Sequence, residues 1–247
     1  MRFAGRVAIV TGGGAGIGRA TSLALGREGA AVAVVDLRGA DAVAAELQAA
    51  GARGTAYGVD VSRGADVQAM VDDVAQRFGG IDILVNNAGI GRPGRIEDVT
   101  EEEWDRTLAV DLKAHFLTCR AVLPHMRRRR KGHIVNVASI AGRHVSLANS
   151  IPYTSAKAAV IGFTRHLAQE VGADGIRVNA VAPGPTETEF FAAVHPAGSA
   201  RAAQVRERIP LRYVSTPEEQ AAVILFLASE AASFVHGAIV DVNGGLL

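Results

Sequence analysis

Two side chains past the middle of the chain, Tyr153 and Lys157, have the types and spacing for joint acid–base chemistry. On a helix, residues four positions apart are surface neighbours, about 5–6 Å apart at Cβ. A free tyrosine titrates near pH ~10, and bringing its pKa to neutrality requires roughly 3–4 kcal/mol. A cation at ~4 Å supplies about 1 kcal/mol in water and about 4 kcal/mol at an effective dielectric constant near 20. The pair therefore does chemistry only if something covers it; otherwise it is a solvated helix face.

Lysine is an uncommon choice of positive charge in this chain. Only three of the 26 basic residues are lysines, namely Lys113, Lys131 and Lys157. An ammonium is a compact point charge with an adaptable pKa, whereas a guanidinium is a wide planar fork. The composition therefore favours a chemical role for Lys157 over a generic charge.

A glycine-rich loop near the N-terminus is typical of dinucleotide binding. Gly12, Gly16 and Gly18 lie between a short apolar run and a helical pattern, with Ile17 among them. Small residues let the backbone approach a pyrophosphate, and a helix N-terminus supplies N–H groups and partial positive charge. Alone, such a run would be only a tight turn.

The acid that ends the next apolar run indicates which dinucleotide is bound. Asp36 follows Gly18 by eighteen residues, where a carboxylate accepts hydrogen bonds from ribose hydroxyls and repels a 2′-phosphate. Leu37 stands where a basic residue would favour NADP(H), although Arg38 is close by. We predict NAD as the cofactor, with NADP as the alternative.

Composition limits the class of protein. At 247 residues, 49% hydrophobic and with a net charge of +1, the chain fits a soluble globular domain, with no nucleic-acid or membrane partner expected. Its single cysteine, Cys119, excludes an internal disulfide, and its scattered histidines predict no metal. We find no signal peptide or membrane span, so we expect a cytoplasmic protein.

Strand-like and helix-like segments alternate along the whole chain. Apolar strands alternating with amphipathic helices predict βαβ units and a parallel sheet covered on both faces. With no linker or repeat, we predict one domain over residues 1–247. The predicted helices are 19–28, 40–50, 65–78, 100–126, 152–171 and 217–229, and the predicted strands are 7–10, 31–35, 54–59, 81–85, 133–138, 177–182 and 238–242.

An ordered set of motifs resembles the short-chain dehydrogenase/reductase family. The resemblance covers essentially the whole chain and implies an α/β, Rossmann-like, doubly wound parallel sheet of about seven strands with helices on both faces. It also implies a homotetramer or homodimer. The motifs are Thr11-Gly12-x-x-x-Gly16-Ile17-Gly18, Asn86-Asn87-Ala88-Gly89, Ser139, Tyr153-x-x-x-Lys157 and Pro183-Gly184.

The resemblance implies roles for the matching residues. Tyr153 would be the proton acceptor, Lys157 would bind the nicotinamide ribose and lower the Tyr153 pKa, and Ser139 would orient the substrate oxygen. Asp60 would face the adenine amine. The residues expected to bind the cofactor are Gly12, Gly16, Ile17, Gly18, Asp36, Leu37, Asp60, Val61, Asn87, Ala88, Gly89, Tyr153, Lys157, Pro183, Gly184, Thr186 and Thr188.

One position departs from the family pattern. The family usually has an asparagine in the long helix before Ser139, acting through its backbone carbonyl at a helix irregularity, and here that residue is Asp111. An ionised aspartate loses the amide donor and adds a negative charge that favours the Lys157 ammonium. We expect activity to survive and include Asp111 among the catalytic residues.

The segment 189–212 is predicted to be a substrate lid, because it follows the nicotinamide segment and holds aromatic residues amid small ones. The expected substrate contacts are Ser139, His144, Asn149, Tyr153 and Phe190. The basic run 127–131 is read as a solvated face, with docking of an acyl carrier protein as the disfavoured alternative.

Together these residues predict an NAD-dependent oxidoreductase. Its substrate would be a small-molecule secondary alcohol, such as a polyol, sugar, cyclic or steroid-like alcohol, or the corresponding ketone. A 3-oxoacyl-[acyl-carrier-protein] reductase is a second enzymatic possibility, against which Asp36 counts. A nucleotide-sensing protein without catalysis is the non-enzymatic alternative.

Overall fold

The fold centres on a parallel sheet whose strand order reverses once. A computed structural model of the chain describes residues 1–144, 149–196 and 198–246. The described part contains a seven-stranded sheet in the order β3-β2-β1-β4-β5-β6-β7. The strands are β1 Val7–Thr11, β2 Ala31–Val35, β3 Gly54–Tyr57, β4 Ile83–Asn86, β5 Gly132–Val137, β6 Ile176–Pro183 and β7 Ile239–Val242.

Helices cover both faces of this sheet, as the sequence predicts. The predicted α/β class, strand number and covered faces are thus confirmed. No helix among the described residues has the length and apolar character needed to cross a membrane. The helices are α1 Gly16–Arg27, α2 Ala40–Ala49, α3 Gly64–Phe78, α4 Glu101–Leu108, α5 Ala114–Arg129, α6 Ile151–Val171, α7 Glu189–Ala192, α8 Ala200–Arg208 and α9 Pro217–Leu227.

Alternation along the strands builds a core on each side. In β1, Val7 and Ile9 pack with α3, α5 and α6 side chains, whereas Ala8 and Val10 pack with those of α1, α2 and α9. Successive strand side chains point to opposite faces, so a strand buried on both faces must be apolar throughout. The order reverses where β1 pairs with β2 on one side and β4 on the other. Ligands bind beside the carboxyl ends of strands at such a point.

The predicted helix over 100–126 is interrupted in the structure. Residues Ala109–Lys113 form a π-helical turn between α4 and α5, and α5 then continues to Arg129. Such turns are rare and commonly occur at functional sites. Hydrophobic periodicity does not reveal a change to i→i+5 hydrogen bonding, which is why the prediction gave one helix. Asp111 lies inside this turn, at the irregularity expected for it.

A buried amide and hydroxyl network joins the sheet to two helices. The Asn86 amide donates to Asn136 Oδ1 at 2.9 Å, and the Asn136 amide donates to Thr164 Oγ1 at 2.9 Å. Thr118 Oγ1 donates to Asn86 Oδ1 at 2.7 Å. Satisfied polar networks of this kind specify a unique packing. The network ties β4 and β5 to α5 and to α6, the helix that carries Tyr153 and Lys157.

Candidate active site

Lys157 forms a hydrogen bond with the end of β5, the strand that precedes Ser139. Its side chain is 3% exposed, and its Nζ donates to the Val137 backbone oxygen at 3.1 Å. Ser139 follows β5 and begins a short 3-10 turn, where its Oγ accepts the Ala141 N–H at 3.1 Å. The predicted serine, tyrosine and lysine thus meet at the carboxyl edge of the sheet, and all three line one cavity.

Asp111 makes two contacts in this site. Its Oδ1 accepts the backbone N–H of Ile90 at 2.8 Å, and its Oδ2 lies 3.5 Å from Lys157 Nζ. Asp111 is fully buried, and burial raises the pKa of its carboxyl, while the Lys157 charge and the Ile90 N–H act in the opposite direction. The carboxylate is therefore an ion-pair partner of the lysine, in addition to any role of its backbone carbonyl.

The Tyr153 phenol has opposing electrostatic neighbours. Burial raises its pKa, Lys157 lowers it, Asp111 raises it, and a hydrogen bond with Ser139 lowers it. The net shift is upward, whereas a working proton acceptor needs a lowered pKa. Of the charges beside Tyr153, Lys157 favours the phenolate and Asp111 opposes it, so a further positive charge in the cavity would lower the Tyr153 pKa.

Two glycines allow close approach around these groups. A Cβ on Gly89 would lie 3.0 Å from Asp111 Oδ2 and 3.3 Å from Lys157 Nζ. A Cβ on Gly91 would lie 2.8 Å from Asn149 Oδ1 and 3.0 Å from Tyr153 Cδ2. At these distances an added methyl group would make the neighbouring side chains shift. Glycine at both positions therefore keeps the site side chains in place.

One cavity of about 410 Å³ contains most of the predicted site. Its size is within the range of ligand pockets, and it combines apolar walls with a few polar groups. The predicted residues that line it are Gly12, Gly16, Ile17, Asp36, Asn87, Ala88, Gly89, Ser139, His144, Asn149, Tyr153, Lys157, Pro183, Gly184, Thr186, Thr188 and Phe190.

The glycine loop fits a pyrophosphate. Gly12 and Gly16 have φ values of 62° and 49°, in the left-handed region that favours glycine. A Cβ on Gly18 would collide with the Gly12 carbonyl oxygen, which explains its packing role. Helix α1 begins at Gly16 with no side-chain cap and no acid in its first turn. Its N–H groups and dipole are thus free for an anion.

Asn87 and Thr11 hold this loop in place. The Asn87 side-chain amide donates to the backbone oxygens of Thr11 and Gly12 at 3.1 and 3.0 Å. Thr11 Oγ1 accepts the Asn87 backbone N–H at 3.0 Å. The Asn-Asn-Ala-Gly motif therefore braces the loop, while Ala88 and Gly89 lie along the cavity.

The carboxylate of Asp36 is fixed by backbone amides. Its Oδ2 accepts the Gly14 N–H at 3.0 Å, and its Oδ1 accepts the Arg38 N–H at 3.1 Å. An ionised carboxylate has about four acceptor sites, so two remain for ligand hydroxyls. The arrangement fits the adenosine ribose of NAD.

The segment 183–188, which is predicted to hold the nicotinamide, contacts the glycine loop. Thr186 Oγ1 donates to the Gly184 oxygen at 3.0 Å, and Thr188 caps α7 by accepting the Phe191 N–H at 3.2 Å. A Cβ on Gly16 would lie 3.0 Å from Thr188 Cγ2. The two segments therefore face each other across the mouth of the cavity.

Aromatic rings from the predicted lid face the tyrosine. The Phe190 and Tyr153 ring centroids are 5.8 Å apart, and Phe191 stacks on His195 at 4.5 Å. In the structure, residues 189–212 contain α7 and α8 rather than an open loop, and Ala197 lies outside the described residues. That the segment moves as a lid stays a prediction.

The chain is similar along nearly its whole length to known dehydrogenases and reductases. Residues 12–247 match the family described as enoyl-(acyl carrier protein) reductase. The chain is 44% identical, over 98% of its length and 97% of the relative, to cis-4-hydroxycyclohexanecarboxylate dehydrogenase of Sinomonas cyclohexanicum. It is 39% identical, over the whole of both chains, to a 3-oxoacyl-[acyl-carrier-protein] reductase of Thermotoga maritima. The chain belongs to the short-chain dehydrogenase/reductase family.

The known structures agree with this membership. The crystal structure of levodione reductase matches with a TM-score of 0.93 at 37% identity, covering 99% of this chain and 98% of the other. This short-chain dehydrogenase/reductase is therefore an oxidoreductase that acts on CH–OH donors or their ketones with a nicotinamide cofactor. The resemblance that the motifs carried is confirmed.

Four predicted cofactor residues, Gly18, Leu37, Asp60 and Val61, do not line the described cavity. Leu37 is 60% exposed, and Val61 packs in the core beside α3. The Asp60 carboxylate accepts from Ser62 at 2.7 Å and pairs with Arg106 at 3.2 Å. Their roles in this dehydrogenase/reductase stay predictions.

The basic run has internal partners. Arg127 pairs with Asp174, Arg129 with the buried Asp82, and Lys131 with Glu230, at 2.8, 3.3 and 3.1 Å. The run also lies mostly in the last turn of α5 rather than beyond the helix, because α5 extends to Arg129. Three of its five side chains thus form ion pairs within the chain.

Sequence reasoning missed some residues of the site. Gly91, the Ile90 N–H and the Val137 oxygen leave no side-chain signal in a single sequence. His195 and Arg208, which line the cavity, were visible only as charged or polar residues within the lid. Among the described residues no cluster of His, Cys, Asp and Glu suitable for a metal ion occurs.

Proposed function

We propose that this protein transfers a hydride between a secondary alcohol, or its ketone, and NAD(H). The observation that carries the proposal is one cavity lined by Ser139, Tyr153 and Lys157 at one part and by the glycine loop and Asp36 at another. Acid–base groups beside a dinucleotide cradle match hydride transfer coupled to proton transfer. When bound, NAD⁺ supplies the hydride acceptor at nicotinamide C4.

The protein residues handle the proton and the substrate oxygen. In oxidation, Tyr153 as a phenolate takes the hydroxyl proton while the carbinol carbon loses a hydride, so the alcohol becomes a ketone. In reduction, the phenol returns the proton to the carbonyl oxygen. The single O–H of Ser139 donates to the Tyr153 oxygen in the free protein, and with substrate bound it would donate to the substrate oxygen instead. The positive charges of Lys157 and of the oxidised cofactor favour the phenolate.

Lys157 has a second function as a donor. Its ammonium has three N–H donors, of which Val137 takes one and Asp111 lies near another. The remaining donor is available to the nicotinamide ribose hydroxyls. Asp111 supports this role by supplying a counter-charge in a buried place where an unpaired ammonium would be costly.

The cofactor is proposed to be NAD rather than NADP. Asp36 lines the cavity and is anchored by two backbone amides, so it cannot turn away from a 2′-phosphate without losing both hydrogen bonds. A fixed carboxylate beside a phosphate is repulsive. The NADP alternative requires Arg38 to outweigh that repulsion.

The substrate is proposed to be a small secondary alcohol rather than an acyl-carrier-protein thioester. One relative is named for a cyclic hydroxy acid and another for 3-oxoacyl-[acyl-carrier-protein] reduction, so names alone support both. Three of the five residues in the basic run that would receive an acidic carrier, Arg127, Arg129 and Lys131, pair instead with Asp174, Asp82 and Glu230. The carrier-protein reductase is therefore the second candidate.

We also propose a homotetramer, with a homodimer as the alternative, in the cytoplasm. Phe116 on α5, Phe226 on α9 and Phe234 are exposed by 45%, 40% and 103%. Large exposed aromatic side chains favour association. Light scattering on the purified protein tests the assembly state.

Absorbance at 340 nm tests the function directly. We expect turnover of secondary alcohols with NAD⁺ and of ketones with NADH. Tyr153→Phe should remove turnover while NAD still binds, measured by calorimetry. A parent protein that binds NAD without turnover on a broad panel, including 3-oxoacyl thioesters, would instead identify a nucleotide sensor. Turnover of thioesters alone would identify the carrier-protein reductase.

A further inference from the structure

The part of the cavity formed by the 189–208 segment is mainly apolar but contains two basic side chains. Its apolar residues place hydrocarbon surface next to the Tyr153 ring. Among them lie His195 and Arg208. The apolar residues of this part are Phe190, Phe191, Val194 and Val205.

His195 is a buried polar group that lacks a partner for one ring nitrogen. The side chain is 6% exposed and stacks on Phe191 with an interplanar angle of 14°. Among the described residues nothing hydrogen-bonds its Nδ1. Leaving such a group unsatisfied is unfavourable, so its presence in a cavity points to a ligand atom. Burial lowers its pKa, an interaction of the ring with the Phe191 backbone oxygen raises it, and the Arg201 charge lowers it. An imidazole ring has at least one N–H donor in either protonation state.

Arg208 supplies a full positive charge to the same cavity. It is the last residue of α8, it is exposed, and no carboxylate of the described residues forms an ion pair with it. A guanidinium matches a carboxylate through two parallel N–H donors. The acidic side chain in this part of the cavity, Glu189, begins α7 directly after Thr188.

We propose that His195 and Arg208 form a carboxylate-binding subsite, so that the preferred substrate is a secondary hydroxy acid or the matching oxo acid. The apolar residues between this subsite and Tyr153 would hold a ring or short hydrocarbon chain, with the reacting carbon at one end and the carboxylate at the other. This inference rests on the proposed function and narrows its substrate.

Matched pairs of substrates test the subsite. Cyclic and open-chain hydroxy acids, such as 3-hydroxycyclohexanecarboxylate, are compared with their methyl esters in the presence of NAD⁺. We expect the parent kcat/KM to favour acid over ester by at least about tenfold. Arg208→Gln and His195→Phe, which keeps the stacking ring, should each lower that ratio about tenfold or more. Arg206→Gln removes the same charge from α8 outside the cavity lining and should leave the ratio unchanged.

Two outcomes separate this inference from the proposed function. If the parent oxidises esters as well as acids, the subsite is wrong and the dehydrogenase activity stands. If no secondary alcohol is oxidised, the proposed function fails, and binding then decides the subsite. For that case, calorimetry with cyclohexanecarboxylate and NAD-loaded protein should show binding that Arg208→Gln weakens about tenfold. Absence of binding, or equal binding by the variant, overturns it.

Discussion

The carboxylate of Asp111 lies 3.5 Å from the ammonium of Lys157, and the two side chains are 0% and 3% exposed. The pair connects the π-helical turn to α6, directly beneath the cavity. A buried charge of either sign is energetically costly when unpaired, so each of the two charges offsets the cost of burying the other. The same negative charge opposes ionisation of Tyr153.

Asp111→Asn should therefore shift the pH profile of oxidation. Asp111 raises the Tyr153 pKa, so its neutralisation lowers that pKa. Because the phenolate is the active form in oxidation, the rising limb of kcat against pH should move to lower pH. Asp174→Asn, which breaks a remote ion pair with Arg127, should leave the limb in place. An unchanged or alkaline-shifted limb for Asp111→Asn contradicts this electrostatic role.

Gly89→Ala should reduce activity by disturbing the ion pair. The added Cβ would lie 3.0 Å from Asp111 Oδ2 and 3.3 Å from Lys157 Nζ, so these buried groups must move. Overpacking of this kind costs about 1–3 kcal/mol, and we expect kcat/KM to fall by about tenfold or more. Gly162→Ala adds the same methyl group to α6 in open space and should retain activity. Steady-state kinetics measure kcat/KM for both variants. Equal losses in the two would contradict the proposed effect on the ion pair.

Asp36→Asn should relax the choice of cofactor. The amide keeps an acceptor oxygen and nearly the same shape but removes the charge that repels a 2′-phosphate. We expect the ratio of kcat/KM with NADP⁺ to that with NAD⁺ to rise at least about tenfold. Asp41→Asn, at the exposed start of α2, is the control. A parent enzyme that already uses NADP⁺ as well as NAD⁺ would show the cofactor assignment to be wrong.

Arg6 and Arg129 should couple through Asp82. Both guanidinium groups pair with Asp82 Oδ1, at 3.4 and 3.3 Å, and the Asp82 side chain is 2% exposed. Each single change to Gln leaves one partner and should cost about 1 kcal/mol in unfolding free energy. The double variant leaves a buried carboxylate without a cation and should cost about 3–5 kcal/mol.

Urea unfolding of the four proteins in this cycle measures that coupling. Arg128→Gln, whose side chain contacts His125 at the surface, is the single-site control and should change stability by less than about 0.5 kcal/mol. If the losses in unfolding free energy for the two single variants add up to that of the double variant, Asp82 does not need a cation. In that case Arg129 would be available to a binding partner.

The sequence predicted those features that follow from local pattern. Apolar runs mark strands such as β1, and the glycine spacing and the Tyr153–Lys157 spacing mark the site, because each depends on residues close together in the chain. The family pattern predicted the helix irregularity at Asp111 and a favourable charge toward Lys157, but the direct side-chain pairing depends on packing between distant segments, which one sequence does not specify. His195 and Arg208 entered the cavity through the folding of α7 and α8, for which no period in the sequence is diagnostic.

Lys157 and the segment 189–208 differ in which parts of the chain fix their positions. Lys157 is positioned by β5, the π-helical turn and the glycine at 89, three segments far apart in the chain. The hydrogen bonds of the described residues in 189–208 stay within residues 188–212, through caps at Thr188 and Ser199. This stretch thus contributes Phe190, His195 and Arg208 to the cavity while its hydrogen bonds remain local. Replacing that stretch with the corresponding segment of a relative should change the substrate preference. The contacts that position Ser139, Tyr153 and Lys157 should remain intact.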